Sequence, residues 1–140
     1  MVKHVKLDLS RLRSLAQALA KDMDKSNAVV GLIGQLGSGK TTFSKFIGST
    51  LGSRNIKSPT FTVISEHKTK SKKTLYHIDL YRLYRSDQLK DLGLDEIISS
   101  KNRIVLIEWA DRFPKVLKKC NMIIHFKIIG DKRNVLVQKK

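Results

Sequence analysis

The 140-residue sequence predicts an α/β fold, a three-layer sandwich around a mixed sheet that is parallel at its centre and antiparallel at its edges. Three observations carry that prediction. Short apolar runs of strand length alternate with segments of helical periodicity, the pattern of helices packed on a sheet. The run Arg103-Ile104-Val105-Leu106-Ile107 is almost wholly aliphatic, as a strand buried on both faces must be. Third, the run Ala28–Ile33 passes straight into the glycine-rich turn 34–41 and then into a helical segment. The length suits one domain over residues 1–140 with a hydrophobic core of its own.

Taken in chain order, Ser10 is placed to cap a first helix whose Leu12, Leu15, Ala16, Leu19 and Met23 make one apolar stripe. Ala28–Ile33 is a buried strand. Beyond the turn, Phe43, Phe46 and Ile47 fall at helical spacing, and Gly52 closes that helix. Ile56–Thr60 is a loop in which Pro59 pushes Ser58 toward extended geometry. Phe61–Ser65 is a strand, joined through the lysine-rich stretch 67–73 by a hairpin-type connection to a strand at Thr74–Asp79. A helical segment begins near Ser86 or Asp87, carries Leu89 and Leu92, and stops at Gly93. After the strand at 103–107 come a short helix near Phe113–Lys119 and two late strands, Met122–Ile128 and Val135–Gln138, turned by Gly130-Asp131. There is no internal repeat and no linker.

The turn itself, Gly34-Gln35-Leu36-Gly37-Ser38-Gly39-Lys40-Thr41, is the G-x-x-x-x-G-K-T pattern of a phosphate-binding P-loop. Each residue type has its own duty. Glycines let backbone N–H groups approach phosphate oxygens closely, Lys40 reaches the β/γ-phosphates, and the Thr41 hydroxyl ligates Mg²⁺. A helix N-terminus directly behind the turn aims its partial positive charge at the same anion. A ligand-free glycine turn is the plainer alternative, but the strand before it and the helix after it are the flanks a P-loop requires. The fold expected is therefore P-loop NTPase-like, and the ligand a nucleotide.

Phosphoryl chemistry needs a second acid at the C-terminal end of a strand. Two residues qualify: Asp79, ending the strand 74–79, and Glu108, directly after four branched aliphatics. Each also has a plainer reading. Asp79 has Arg82 and Arg85 nearby for an ion pair, and Glu108 could meet solvent or a lysine at the strand end. Ser58-Pro59-Thr60-Phe61 stands where many P-loop proteins place a switch over the terminal phosphate, and a Thr60 hydroxyl suits that role, as does a rigid turn. Trp109 is a packing residue or a lid beside Glu108. His4, His67, His77 and His125 lack metal-site spacing.

Composition sets the outer bounds. With 41% hydrophobic residues the chain reads as soluble and globular, and no apolar run approaches a membrane span or a signal-peptide core. One cysteine, Cys120, forms no intramolecular disulfide, so a reducing cytoplasm is the natural setting. The net charge of +16, with nine Lys/Arg against Asp131 alone between Arg112 and Lys140, suits attraction to polyanions such as RNA or reflects a lysine-rich composition at large. No dedicated nucleic-acid motif accompanies it.

Taken together, four stretches resemble the TsaE (YjeE) family of bacterial P-loop ATPases: Gly34–Thr42, Ser58-Pro59-Thr60-Phe61, His77-Ile78-Asp79-Leu80-Tyr81-Arg82 and Ile107-Glu108-Trp109. Their order, spacing and total length all fit. That resemblance implies participation, with a TsaB–TsaD pair, in making N6-threonylcarbamoyladenosine on tRNA, the tRNA being contacted within the assembly and ATP hydrolysis supporting its turnover. It implies ATP and Mg²⁺ as cofactors, slow activity alone, and a monomer or weak oligomer in isolation. Residue by residue it implies that Gly34, Gln35, Leu36, Gly37, Ser38, Gly39, Lys40, Thr41 and Thr42 cradle the nucleotide with Thr60 and Trp109. Thr41 and Asp79 would hold Mg²⁺, joined by Glu108, which would also place or activate the attacking water. One departure is Gln35, where the family usually has Asp.

Other classes remain open on sequence. A small nucleoside or small-molecule kinase would share the P-loop, although no lid domain is evident and the chain is short for a separate acceptor site. A non-catalytic module would use nucleotide only to regulate an RNA-binding surface. A GTPase lacks its Asn-Lys-x-Asp element here.

Overall fold

The computed structural model describes residues 1–53 and 63–140, among which seven strands form one sheet in the order β1-β7-β6-β2-β5-β4-β3. The strands are β1 Val2–Leu7, β2 Val29–Ile33, β3 Ile64–Lys68, β4 Thr74–Asp79, β5 Arg103–Glu108, β6 Met122–Ile129 and β7 Lys132–Lys139. β6, β2, β5 and β4 are mutually parallel, whereas β3 pairs antiparallel with β4, and β7 antiparallel with both β6 and β1. The parallel centre and antiparallel edges expected from sequence are both present. The strand expected from Phe61 is seen from Ile64 onward, Phe61 and Thr62 lying outside the described residues.

The helices are α1 Leu9–Lys25, α2 Lys40–Thr50, α3 Asp87–Asp91, α4 Leu94–Ser99 and α5 Pro114–Lys119. Strand side chains alternate between faces, so β5 sends Ile104 and Leu106 to one core and Val105 and Ile107 to the other. The first core is closed by Leu12, Ala16, Leu19 and Met23 of α1 and by Phe43 and Ile47 of α2. The second is closed by Leu89 of α3, Leu94 of α4 and Val116 of α5. Helices on both faces of a largely parallel sheet make the three layers, and both faces of β5 are buried along its whole length.

One local expectation is corrected, and two are sharpened. Asp8, not Ser10, caps α1: its carboxylate accepts the Arg11 N–H at 2.8 Å. The reason is β1, which the sequence does not announce. Its residues are exposed or half-buried apart from Leu7, and it hands the chain directly to the helix. Asp8→Ala is expected to lower the thermal midpoint by a few degrees and the urea midpoint at unchanged slope, as measured by circular dichroism. Gly93, with φ of 71°, does stop α3, but α4 resumes at once behind it. The last short helix begins at Pro114, with Phe113 extended before it.

Three parallel strands end at one edge of the sheet, at Ile33, Asp79 and Glu108. In open α/β sheets this carboxyl edge is where ligands bind.

Candidate functional site

Backbone register brings the predicted residues together. Glu108 pairs with Leu32 of β2 on one side and with Asp79 of β4 on the other, so both candidate acids stand beside the loop that leaves β2. Loop and acids line a cleft of about 530 Å³, shared with Leu9, Leu36, Thr42, Trp109 and Arg133. That volume is of the size that holds a small-molecule ligand.

The loop 34–39 is shaped by two glycines and one arginine. A Cβ at Gly34 would stand 2.6 Å from Ser38 Oγ and 2.8 Å from the Phe126 carbonyl oxygen, so only glycine fits there. Gly39 has φ of 107° and lets α2 begin without a side-chain cap. The N–H groups of Lys40, Thr41 and Thr42 then have no intrahelical partner and remain for an anion. The Ser38 N–H closes the turn on Gln35 O at 3.0 Å. From β7, Arg133 donates through Nε to Ser38 O at 3.1 Å and through Nη2 to Gly37 O at 3.2 Å. Holding the Ser38 carbonyl toward the guanidinium leaves the N–H of the same peptide, that of Gly39, turned the opposite way, as an anion-binding concavity needs.

Lys40 is 4% exposed, and its ammonium donates to the carbonyl oxygens of Gly34 and Gln35 while lying 4.4 Å from the centroid of the Trp109 ring. Burial holds its pKa below the ordinary lysine value, an effect that the charges of Glu108, Asp79 and Asp111 only partly oppose. A cation so desolvated gains strongly from an added anion. Gln35, exposed, contributes its carbonyl oxygen to both Lys40 and Ser38, so the position serves the loop through its backbone.

Glu108 is buried and pairs with no lysine among the described residues, unlike the plainer sequence reading. It is 3% exposed, and Thr41 Oγ1 reaches its two carboxylate oxygens at 3.0 and 3.3 Å while His77 Nε2 lies 2.5 Å from Oε2. A hydroxyl whose hydrogen goes to a carboxylate has its lone pairs left for a metal ion. Asp79 forms no ion pair among the described residues. Arg85 pairs with Asp87 at 3.3 Å, and Asp79 instead accepts the Tyr81 N–H at 3.0 Å. Burial pushes the Asp79 pKa up, the Tyr81 N–H opposes this, and the neighbouring Glu108 charge pushes it further up. A divalent cation would reverse both of the raising effects.

Trp109 has φ of 60°, a left-handed conformation that costs a bulky side chain about 1 kcal/mol or more. It turns the chain sharply after Glu108, so that the indole stands over Lys40 and packs against Tyr81 with ring centroids 5.1 Å apart. Thr60 and the whole segment Ser58–Phe61 lie outside the described residues. Two residues at the site were given no role by sequence, although His77 opens one of the stretches that carry the resemblance. His77 lies two residues before Asp79 on one strand, and the strand period of two was the available signal. Arg133 gave no local signal. Cys120, buried, has its thiol pushed up to about 11 by desolvation and takes no part in the cleft.

Comparison with known proteins agrees with the fold and shows the family. The family model described as "Threonylcarbamoyl adenosine biosynthesis protein TsaE" matches residues 7–135. A Bacillus subtilis protein named tRNA threonylcarbamoyladenosine biosynthesis protein TsaE is 40% identical over 121 residues, covering 86% of this chain and 72% of its own. A Haemophilus influenzae protein of the same name is 30% identical over 139 residues, covering 96% and 87% respectively. The crystal structure of YdiB from Bacillus subtilis superposes with a TM-score of 0.72 at 28% identity, covering 99% of this chain and 84% of that one.

Proposed function

This chain belongs to the TsaE family of threonylcarbamoyl adenosine biosynthesis proteins, and from that membership we propose that it is a magnesium-dependent ATPase serving N6-threonylcarbamoyladenosine modification of tRNA. Its partner would be a TsaB–TsaD complex carrying the tRNA, in a reducing cytoplasm. Among the described residues no helix is long and apolar enough to cross a membrane. The single observation that supports hydrolysis most directly is the buried contact of Thr41 with Glu108, beside a lysine held inside a glycine-rich anion cradle.

In this reading the free N–H groups of the loop and of the first turn of α2, from Gly34 to Thr42, bind the phosphates, and Lys40 leaves the Gly34 and Gln35 carbonyls to meet the β/γ oxygens. The exposed side chains of Leu9 and Leu36 offer apolar surface to the base. The Thr41 hydroxyl keeps its hydrogen on Glu108 and turns its lone pairs to the metal, with Asp79 as the second protein ligand. A bound Mg²⁺ would neutralise charge that builds on the transferring phosphoryl group. Glu108, two bonds removed from free rotation by Thr41 and His77, orients the attacking water and accepts its proton. Trp109 covers the lysine end of the cleft and excludes bulk water there. Thr60 would belong to the switch-like segment.

The test is ATP turnover by the chain alone and then with TsaB–TsaD and tRNA, with modified nucleoside measured in parallel. Slow turnover alone, stimulation by the assembly, and nucleoside formation that requires this chain are expected. A rate unmoved by the assembly, together with equal nucleoside yield when the chain is left out, would sink the proposal.

A further inference from the structure

His77 is fully buried, on β4 between β3 and β5, and the one hydrogen-bond partner of its side chain among the described residues is Glu108. An aliphatic residue at that point would fill the core without a polar group to satisfy. The imidazole is thus placed for the carboxylate, and the register explains how it reaches. His77 pairs with Leu106 and Asp79 with Glu108, so His77 and Glu108 are diagonal neighbours on one face of the sheet, the face that also carries α2 and Thr41.

The sheet fixes the Glu108 backbone: Leu80 N–H donates to its carbonyl oxygen at 3.1 Å and the next residue, Trp109, donates to Leu32 O at 3.1 Å. It does not fix the carboxylate, which turns about three side-chain torsions. Two side chains do. Thr41 comes from the helix that follows the loop, where any ligand of the cradle must act. His77 comes from the rigid interior of β4 and lies on the far side from the cleft, since it is absent from the cleft lining while Glu108 and Thr41 both contribute to it.

We propose that His77 is a positioning residue for hydrolysis, its Nε2–H holding the Glu108 carboxylate in the orientation that faces the attacking water. The assignment rests on the ATPase reading above. It deepens that reading by naming the second group, besides Thr41, that keeps the base in place. Loss of the imidazole lets the carboxylate swing, and misplacement by about 1 Å costs on the order of 100-fold in rate.

The experiment is a double-mutant cycle on ATP turnover with the intact chain: wild type, His77→Ala, His77→Gln, Glu108→Ala and the double variant His77→Ala/Glu108→Ala. His77→Ala is expected to lower kcat about 10- to 100-fold with the ATP KM and fluorescent-nucleotide affinity held. Gln carries an N–H near the Nε2 position and is expected to restore most of the rate. Once Glu108 is Ala there is no carboxylate to hold, so His77→Ala should change nothing further. A merely structural histidine would instead slow both backgrounds equally, or shift KM and affinity with kcat, and either result overturns the proposal. So does wild-type turnover in His77→Ala. If His77→Ala fails to fold, His77→Gln against His77→Leu, an apolar filler, makes the same comparison. A wild-type protein that binds nucleotide but hydrolyses none overturns the ATPase reading itself, and this assignment with it.

Discussion

Lys40→Ala is expected to weaken ATP and ADP binding by about 100-fold or more, the scale of truncating a buried, hydrogen-bonded charge at a ligand interface, while the protein melts no lower than wild type. The two halves of that result have different causes. Affinity falls because the one buried ammonium of the loop no longer meets the phosphates. Stability holds because Lys40 is held in the fold at a cost. Its pKa is lowered below the unfolded value, chiefly by burial, so its charged form is disfavoured on folding. A lysine shifted in that direction subtracts stability at pH values below its folded pKa, and the penalty lifts as pH rises through that value toward the unfolded one. Isothermal calorimetry with both nucleotides, and a thermal melt at neutral pH, check the two halves separately. Unchanged affinity would mean that the cradle does not bind phosphate.

Glu108→Gln is expected to behave oppositely, keeping nucleotide affinity within a few-fold of wild type and lowering kcat by about 100- to 10,000-fold, the usual range for loss of a general base. The amide is nearly isosteric. Its oxygen still accepts from Thr41 or from His77, so the buried network is not emptied. What it loses is the capacity to take a proton from water. Single-turnover hydrolysis of radiolabelled ATP measures the loss, and a filter-binding assay on the same sample shows bound, uncleaved ATP. Equal turnover in the variant would remove Glu108 from the chemistry and leave it only a partner of Thr41.

Much of this site is legible in the sequence because its parts obey local rules. The glycine spacing, Lys40 and Thr41 are contiguous, and the flanking strand and helix announce themselves by period. β5 is read as buried because aliphatic residues run unbroken to Glu108, and the structure buries every one of its residues. Residue patterns alone leave Asp79 and Glu108 as two candidates, the family resemblance implies a role for both, and the pairing of β4 with β5 sets them side by side at one cleft. What escapes is decided at long range. β1 has no buried face of its own and exists because β7 offers it an edge. The Asp8 cap follows from β1, which is why Ser10 looked like the start of the helix. His77, one of four scattered histidines and the first residue of a family stretch, has no role until the register sets it diagonal to Glu108. Chain proximity says nothing of Arg133.

The loop's residues are made early and its brace is made late. Gly37 and Ser38 are separated from Arg133 by 96 and 95 positions, and the strand that flanks the loop on its other side, β6, is also distal in the chain. During synthesis the glycine turn therefore leaves the ribosome with its carbonyls unclaimed, and waits for most of the chain before β6 and then Arg133 arrive. Contacts of such separation form slowly. A nascent chain lacking the final hairpin would carry every residue of the phosphate motif without its finished shape. The cradle's shape thus depends on β6 and β7 having joined the sheet.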